Sequence, residues 1–336
     1  MKHIYRIGVL SLMLLTFSCS KDKEVAKVVP EEPKPRAMAE IIRDPNNAFT
    51  FEFKSTSLNA KSTRWTFGDD SVAIVPTAKH TYLYAGIFKV LLRVENEQGY
   101  VAQQEMTINI SPEKILTIQA KPTVDGDVKF DAVSATAFKD FKWTFADKTT
   151  STEASPVKKI SEGKIETVTL NVTTEQGSTI EMKKMIGSFG GISDVTGGAT
   201  LAVSNENGNG PFGGEGSLKL IDGDNGTKFF SGGFNANFWM KQTLAAPQVV
   251  RVYSITTGND EKVRDPKDWT LQGSMDGEVW DVLDSRTVEF SDSRNEVRAF
   301  AFENTKAYPY YRWYVTSNWG NISIFQASEW RLFRVD

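Results

Sequence analysis

The 336-residue chain contains one cysteine and two histidines. A single cysteine excludes an intramolecular disulfide as a support for the fold. Both histidines, His3 and His80, lie in the first quarter of the chain. The rest of the chain therefore has no residue for a Ser-His-Asp triad, a Cys-His pair or a His-ligated zinc site. Glycosidase chemistry needs only two carboxylates, so counting residues leaves that class open.

The chain also lacks a cluster of basic residues. Its 39 Lys and Arg residues are offset by 42 Asp and Glu residues, and both signs are mixed along the sequence. Nucleic-acid binding requires a basic patch, so we expect no nucleic-acid partner. The Gly-rich run 210–216 lacks the Lys-Ser/Thr pair of a P-loop, and no dinucleotide fingerprint is present.

The N-terminal apolar run, residues 7–17, is too short to span a bilayer, which needs about 20 residues. Basic residues precede this run, and Ser18 and Cys19 follow it. This order predicts a secretory signal peptide over residues 1–18. The position of Cys19 resembles the lipobox of bacterial lipoproteins, which implies a diacylated cysteine at the mature N-terminus. Ordinary cleavage that leaves a free thiol is the alternative.

Residues 19–37 are rich in proline and charge, a composition that predicts a flexible tether. The charged residues directly after Cys19 resemble the surface-export signals of Bacteroidetes lipoproteins. That resemblance implies a lipid anchor in the outer membrane, with the protein facing the cell exterior. By analogy, it also implies a polysaccharide-utilisation complex in that membrane as a partner.

The middle of the chain alternates apolar and polar residues in short runs between turn residues, which is typical of β-strands. The segment Trp65–Asp69 returns as Trp143–Asp147, and the strand around Leu92 returns around Leu170, each time 78 residues later. A shared offset indicates duplicated domains. We predict two small Ig-like β-sandwiches, at residues 38–110 and 111–187.

The first of these units resembles a PKD domain. The matching segments are Trp65–Asp70, His80–Tyr82, Ala85–Gly86 and Phe88–Val94. The second unit keeps the Trp and Gln-Gly anchors but lacks the His-Thr-Tyr element. The resemblance implies that both units are spacers. We accordingly expect Trp65 and Trp143 in the cores and a structural role for His80.

Residues 188–336 hold six of the eight tryptophans, separated by Gly- and Asn-rich loops. Four of the six lie in strand-like runs and are predicted core residues: Trp239, Trp269, Trp280 and Trp330. This segment resembles the discoidin family, also called F5/8 type C domains, which overlaps with family 32 carbohydrate-binding modules. The motifs that carry the resemblance are 220–224, 264–274, 276–280, 310–312 and 326–332. It implies an antiparallel jelly-roll sandwich with a binding face on its loops, so the whole chain is predicted to be all-β.

A Gly-rich acidic loop opens this segment. Asp222, Asp224 and Thr227 place oxygen ligands within six residues, and Glu329 adds a carboxylate if the ends of the domain meet. Calcium takes about six to eight oxygen ligands, many of them backbone carbonyls. The family resemblance implies a structural Ca²⁺ here, closed by Glu329. An acidic turn without metal is the alternative.

Three loops combine aromatic with polar residues, the mixture that sugar sites use: 234–239, 259–265 and 318–325. By family position, an aromatic residue of the last loop stacks on the sugar, and Arg or Asn residues of the middle loop pair its hydroxyl groups. The candidates are Trp319 or Phe325 as the platform, with Asn259 and Arg264 as partners. A structural salt bridge of Arg264 beside Asp265 is the competing role.

The resemblances together imply a surface lipoprotein that binds poly- or oligosaccharide and is not an enzyme. The alternative function is adhesion or assembly, with a protein or lipid partner bound by the same loops. Exposed aromatic residues beside a cleft favour a sugar, whereas a flat face or a projecting apolar side chain favours a protein or a membrane.

Overall fold

The computed structural model describes residues 33–336. The predicted signal peptide, Cys19 and most of the predicted tether lie outside the described residues. Arg36, near the end of that tether, exchanges two backbone hydrogen bonds of 3.0 Å with Leu58. The ordered first unit therefore begins before residue 38. Almost all regular structure in the described part is β, which confirms the all-β prediction.

The first unit is a sandwich of two antiparallel sheets with strand orders β1-β2-β5 and β4-β3-β6-β7. In β6 the side chains of Phe88, Val90, Leu92 and Val94 are all buried, as their period-two spacing predicts. The strands are β1 (Ala39–Arg43), β2 (Thr50–Ser55), β3 (Ser62–Thr66), β4 (Val72–Ala73), β5 (Thr77–Thr81), β6 (Gly86–Glu95) and β7 (Val101–Ile110).

The second unit repeats this arrangement after one short helix, α1 (Pro112–Ile115). One sheet has the order β12-β9-β8, and the other begins β11-β10-β13-β14. Its strands are β8 (Thr117–Pro122), β9 (Val128–Val133), β10 (Asp140–Thr144), β11 (Thr150–Ser151), β12 (Val157–Lys158), β13 (Glu166–Thr173) and β14 (Thr179–Gly187).

The two units have equivalent internal side-chain contacts as well as the same strand order. Trp65 and Trp143 have no exposed surface, which confirms that they are core residues. Trp65 Nε1 donates to the carbonyl of Val75 at 3.1 Å, and Trp143 Nε1 donates to that of Glu153 at 3.0 Å. Buried indole groups need such a partner. The same bond at the same offset of 78 residues supports the duplication inferred from the sequence.

The missing histidine of the second unit is replaced by a lysine. In the first unit His80 Nε2 lies 2.8 Å from Asp69 Oδ2, and its ring stacks on Phe67 with centroids 4.3 Å apart. This confirms a structural role for His80. In the second unit Lys158 donates to Asp147 at 2.5 Å. Hydrogen bonds from Lys158 and Thr149 lower the pKa of Asp147 to about 2. His80 thus connects β5 to the turn after β3, the strand of Trp65. Lys158 connects the equivalent strand, β12, to the turn after β10, the strand of Trp143.

The C-terminal unit continues the sheet of the second unit. Strand β14 turns into β15 (Gly190–Asp194), and β15 pairs with the last strand, β25 (Glu329–Val335). Strands β19 (Val252–Thr256) and β22 (Val297–Ala301) continue beyond β25. The resulting sheet, named here the shared sheet, has the order β11-β10-β13-β14-β15-β25-β19-β22. A Cβ atom on Gly190 would lie 2.7 Å from the carbonyl oxygen of Ala120. The two units therefore meet through continuous backbone hydrogen bonds and a close approach that glycine permits.

The second sheet of the C-terminal unit, the outer sheet, has the order β16-β18-β23-β20-β21. The core lies between it and the β15-β25-β19-β22 part of the shared sheet. Two 3₁₀ turns, Ser217–Leu220 and Lys262–Arg264, lie in loops. The strands are β15 (Gly190–Asp194), β16 (Thr200–Val203), β17 (Phe229–Ser231), β18 (Phe238–Gln248), β19 (Val252–Thr256), β20 (Pro266–Ser274), β21 (Asp281–Thr287), β22 (Val297–Ala301), β23 (Tyr308–Asn318), β24 (Phe325–Ala327) and β25 (Glu329–Val335).

Of the four tryptophans predicted in this core, two are there. Trp269 and Trp330 are buried, which confirms their prediction. Trp239 and Trp280 are only half-buried, so their prediction was wrong. Trp239 alternates with the inward Phe238 and Met240 on β18 and must point outward. Trp280 follows a tight turn and lies outside the strands. Within residues 33–336, no helix is long and apolar enough to cross a membrane.

Candidate functional site

The three loops chosen from the sequence lie together at one end of the C-terminal sandwich. Gly320 N donates to the carbonyl of Val263 at 2.7 Å, which joins the loop after β23 to the 3₁₀ turn before β20. Phe234 N donates to the carbonyl of Ser323 at 3.0 Å, which adds the loop before β18. These backbone bonds build a single loop face.

A nearly buried lysine organises the polar side chains of this face. Lys228 is 8% exposed. Its ammonium donates to Asn259 Oδ1 at 2.9 Å and to Asp260 Oδ2 at 2.7 Å, and it pairs with Glu215 at 3.2 Å. Arg264 Nη1 also donates to Asp260 Oδ2, at 3.1 Å. We name these residues the Lys228 cluster: Glu215, Lys228, Asn259, Asp260 and Arg264.

The electrostatics of the cluster favour its charged forms. Burial lowers the pKa of Lys228, but the hydrogen bonds and charges of Asp260 and Glu215 outweigh this effect and raise it. For Asp260, burial raises the pKa, but Lys228 and Arg264 together lower it below its usual range. The lysine and the aspartate therefore stay ionised at neutral pH.

The Asp260 carboxylate presents only one side to solvent. Its Oδ1 atom is buried and accepts no hydrogen bond from another side chain among the described residues. The side chain as a whole is 39% exposed, so a ligand hydroxyl group would meet the carboxylate from its solvent-facing side. Arg264 lies beside it with its guanidinium 5.6 Å from the ring centroid of Phe230. The arrangement therefore offers an acceptor and two cationic donors within one small area.

An exposed aromatic ring lies on a loop that contributes to the cluster. Phe212 is 89% exposed, on the Gly-rich loop that also supplies Glu215. Phe230 N donates to the carbonyl of Glu215 at 3.0 Å, which holds this loop against the cluster. Phe212 was not predicted from the sequence as a site residue. The available signal was its position between Pro211 and two glycines, where no neighbouring apolar residues could form a strand with it. Lys228 and Asp260 were not predicted either.

Of the four residues predicted to bind the ligand, Asn259 and Arg264 come together through Lys228 and Asp260. Arg264 also forms a salt bridge, as its competing role predicted, with Asp260 at 3.1 Å. The neighbouring Asp265 accepts from Arg294 Nη1 at 2.8 Å.

The two aromatic candidates differ from the prediction. Phe325 has no exposed surface and lies among Phe238, Phe229 and Trp313, so its prediction as a sugar platform was wrong. Trp319 is half-buried, and its Nε1 donates to the carbonyl of Val288 at 3.0 Å. The ammonium of Lys267 lies 5.1 Å from its ring centroid. These side-chain contacts include none of the Lys228 cluster, whereas the backbone N of Trp319 donates to the carbonyl of Asp265, next to Arg264, at 3.2 Å.

The acidic loop meets the last strand, as the sequence predicted. Glu329 is 1% exposed, and its Oε1 accepts from Gly223 N at 2.7 Å. Its carboxyl group is also in hydrogen-bond contact with that of Asp222. Burial, followed by the contact with Asp222, raises the pKa of Glu329 to about 7, although Arg331 opposes this shift.

The acidic loop presents the carbonyl oxygen of Asp224, rather than its predicted carboxylate, beside Thr227. Thr227 Oγ1 donates to Asp222 Oδ2 at 2.9 Å and lies 3.1 Å from the carbonyl of Asp224. The Asp224 carboxylate accepts from Gly226 N at 2.8 Å and so turns back on its own loop. Within residues 33–336, no three His, Cys, Asp or Glu side chains group closely enough to share a metal ion. The donor set still suits calcium, because two carboxylates, a hydroxyl and a carbonyl converge on a Gly-rich loop.

Two protein-family models match parts of the chain. The family model described as PKD domain matches residues 30–111, and the model described as F5/8 type C domain matches residues 200–329. Both matches agree with the resemblances drawn from the sequence and with the β-sandwich folds described above.

One curated relative is similar over a short segment. The peptide-N(4)-(N-acetyl-beta-glucosaminyl)asparagine amidase of Arabidopsis thaliana is 41% identical over 49 residues, 14% of this chain. The match spans only 7% of the length of that plant enzyme.

Several solved structures are similar to part of the chain. A carbohydrate-binding module of Clostridium perfringens in complex with GalNAc-β-1,3-galactose is 16% identical and covers 42% of this chain and 100% of its own, with a TM-score of 0.37. The family 32 module of NanJ from C. perfringens, with galactose, is 14% identical (43% and 99% covered, TM-score 0.36). An F5/8 type C domain from Bacteroides fragilis is 16% identical (43% and 97% covered, TM-score 0.38). No ligand is carried over from these modules.

Loss of the Lys228 ammonium should destabilise the C-terminal unit. Lys228→Met keeps the apolar stem but leaves Asp260 and Glu215 without their shared cation, so we expect a loss of about 1–3 kcal/mol in the free energy of unfolding. The matched control is Lys262→Met, because Lys262 pairs with Glu289 and Asp292, whose side chains are 63% and 94% exposed. Exposed pairs of this kind contribute about 0–1 kcal/mol. Urea unfolding followed by tryptophan fluorescence measures both, and equal losses would contradict the organising role of Lys228.

Proposed function

We propose that this protein is a non-catalytic glycan-binding protein whose F5/8 type C domain holds a sugar at the Lys228 cluster. The observation that carries the proposal is the partly exposed carboxylate of Asp260, held between Lys228 and Arg264, with the exposed ring of Phe212 on the adjoining loop. The two N-terminal units, one of them a PKD domain, act as spacers.

Sugar recognition requires donors, acceptors and an apolar surface in one place. A sugar hydroxyl group donates to the solvent-facing side of the Asp260 carboxylate, while Arg264 and Asn259 pair with neighbouring oxygen atoms. Hydrogen bonds to charged groups contribute about 1.5–3 kcal/mol each, more than neutral ones. The Phe212 ring packs against the apolar face of the sugar and adds area without adding charge. A single site of this size binds modestly, and many copies on one surface add avidity.

The site residues support binding rather than catalysis. The carboxylate of Asp260 is paired with two cations, and its pKa lies below its ordinary range. A general acid of a glycosidase needs a carboxyl group with a raised pKa. The cluster holds its ligand without transferring a proton to it.

A second candidate function rests on the same exposed ring. Phe212 is 89% exposed and Val263 is 45% exposed, and both are apolar side chains on the loops. Projecting apolar residues are typical of sites that bind a protein or a lipid. Adhesion or assembly through the loop face is therefore the alternative, and the first experiment below includes it.

The anchor and the location are part of the proposal. Cys19 carries the lipid, the proline- and charge-rich residues after it are the predicted tether, and the two spacer units place the loop face away from the outer membrane. The sequence features that support this are the short apolar run, the position of the only cysteine and the charged residues after it. On this view the protein serves a polysaccharide-utilisation complex at the cell surface.

The Lys228 cluster should determine glycan binding. On a glycan array, the chain from Ser20 onward should bind one sugar class saturably, and Arg264→Ala should weaken it about tenfold or more, because one charged hydrogen bond is lost. Phe212→Ala should weaken it similarly. Lys262→Ala, on the same loop but paired elsewhere, is the control and should bind as the parent does. Binding to lipid vesicles or a protein but to no glycan, lost in Phe212→Ala, would favour the adhesion function instead.

Calcium at the acidic loop is a further part of the proposal. Asp222, Glu329, Thr227 and the carbonyl of Asp224 would hold the ion, and the ion would fix the loop against β25. Its role is structural, because these residues tie one end of the domain to the other.

Calcium should raise the melting temperature of the chain by several degrees relative to the same chain in chelator. A ligand at about 100 times its Kd stabilises the folded state by about 2.7 kcal/mol. Differential scanning fluorimetry with calcium, magnesium or chelator measures this, and Asp222→Asn should abolish the shift. Asp276→Asn is the control, because that carboxylate bonds only its own turn. An unchanged melting temperature after chelation in the parent chain would refute the site.

Acylation of Cys19 is tested in cells. A bacterial host fed an alkyne fatty acid should label the full chain, and Cys19→Ser should lose the label because no other cysteine is present. The neighbouring substitution Ser20→Ala is the control and should keep it. A chain that is secreted but unlabelled would show ordinary signal-peptide cleavage.

A further inference from the structure

The solvent side of the outer sheet carries an unusual set of side chains. On β18 and β23 the inward residues Met240 and Trp313 are fully buried. Their neighbours in the alternation point outward and are half-buried. We name this surface the aromatic face and define it by seven residues: Trp239, Lys241, Gln272, Trp280, Tyr310, Arg312 and Tyr314.

Strand register brings these residues into contact. Across β18 and β23, Trp239 is paired with Tyr314 and Lys241 with Arg312. On the other side of β23, Gln272 of β20 is paired with Arg312. Tyr310, Arg312 and Tyr314 alternate along one strand, so they span about 13 Å at roughly 3.3 Å per residue. The face therefore forms a continuous row rather than isolated residues.

Arg312 is the centre of the row. Its guanidinium lies 4.1 Å from the ring centroid of Trp280 and 5.5 Å from that of Tyr314. Its Nε donates to Gln272 Oε1 at 2.7 Å, which fixes the plane of the guanidinium. On the adjacent strand, the ammonium of Lys241 lies 5.7 Å from the ring centroid of Tyr310. The aromatic rings thus hold both cations in place.

Neither cation has an anionic partner. Within residues 33–336, no carboxylate lies within 4.0 Å of Arg312 or Lys241, although most other arginines of the C-terminal unit form such pairs. The outward residues beside them, Ala202 on β16, Thr243 on β18, and Thr270 and Gln272 on β20, are neutral. The next outward residue of β20, Asp268, accepts from Thr287 and Ser317. Glu278 and Asp281 flank Trp280 along the chain, so the positive charge of this face is that of Arg312 and Lys241.

We infer that the aromatic face is a second glycan site, separate from the loop face, that binds a strand of acidic polysaccharide. The outward, half-buried rings stack on sugar rings along the row, as aromatic platforms do. Arg312 and Lys241 pair with the carboxylate or sulfate groups of the chain, and the arginine fork suits such planar or multi-oxygen anions. Charge complementarity selects this occupant over a neutral polysaccharide. The inference goes beyond the proposed function, because it shares no residue with the Lys228 cluster.

The test uses the chain from Ser20 onward and two polyanions, polygalacturonate for carboxylate groups and a sulfated galactan for sulfate groups, measured by affinity electrophoresis or calorimetry. Fully methyl-esterified polygalacturonate is the neutral probe. We expect binding of at least one polyanion that weakens with added salt. Arg312→Ala should reduce it tenfold or more, and Trp239→Ala should reduce it severalfold.

Controls separate this site from folding and from the loop face. Arg312→Lys keeps the charge and should retain part of the binding. Arg298→Ala removes a half-buried arginine that stacks on Phe290 at 5.0 Å but is already paired with Glu296, so it should bind as the parent does. Arg264→Ala should lose the loop-face ligand and keep the polyanion, whereas Arg312→Ala should do the reverse. Failure of one site is thereby distinguished from failure of the other.

The inference would be overturned if the folded parent chain bound neither polyanion or bound the methyl-esterified polymer equally well. It would also be overturned if polyanion binding were lost in Arg264→Ala but not in Arg312→Ala. Self-association of the parent chain that Arg312→Ala abolishes, without polyanion binding, would assign the face to a second copy of the protein.

Discussion

The pairing of the last strand, β25, is the constraint on which the C-terminal unit depends. This strand hydrogen-bonds β15 on one side and β19 on the other. It therefore joins the segment arriving from the second unit to the strand that leads into the loop of Asn259. Its first residue, Glu329, meets the acidic loop at Gly223, and the next, Trp330, enters the core. A shift of one residue would exchange these two roles, because neighbouring side chains of a strand face opposite sides.

The same alternation produces both surfaces of the domain. Phe238 and Met240 build the core from β18, and Trp239 and Lys241 necessarily face solvent from the same strand. The loop face arises where strands end, since the backbone there leaves the sheet and brings polar residues from different loops to one end. One sandwich thus carries a compact charged cluster at its end and an extended aromatic row on its side. The first suits a single sugar, and the second suits a chain.

Much of the fold could be predicted from sequence because its signals are local. The apolar alternation of Phe88 to Val94 predicted a buried strand, and the repeat of Trp65 at Trp143 predicted two similar cores. Other features could not be read in this way. The loss of His80 in the second unit was visible, but its replacement by Lys158 depends on a contact with Asp147 formed across a turn. Phe325 was misplaced because a strand of three residues is too short to show which side faces inward.

The all-β character and the duplication were predictable from the sequence, because they follow from backbone periodicity, turn residues and a repeat of residue types along the chain. The loop face and the closing position of Glu329 at the acidic loop were implied by the family resemblance. Three features depend on tertiary structure: Lys228 joins Asn259 to Asp260, Phe212 is exposed, and Arg312 has no carboxylate within 4.0 Å among the described residues. The physical reason is that side-chain partners are set by strand pairing and loop docking between segments tens of residues apart, whereas periodicity is a property of each segment alone.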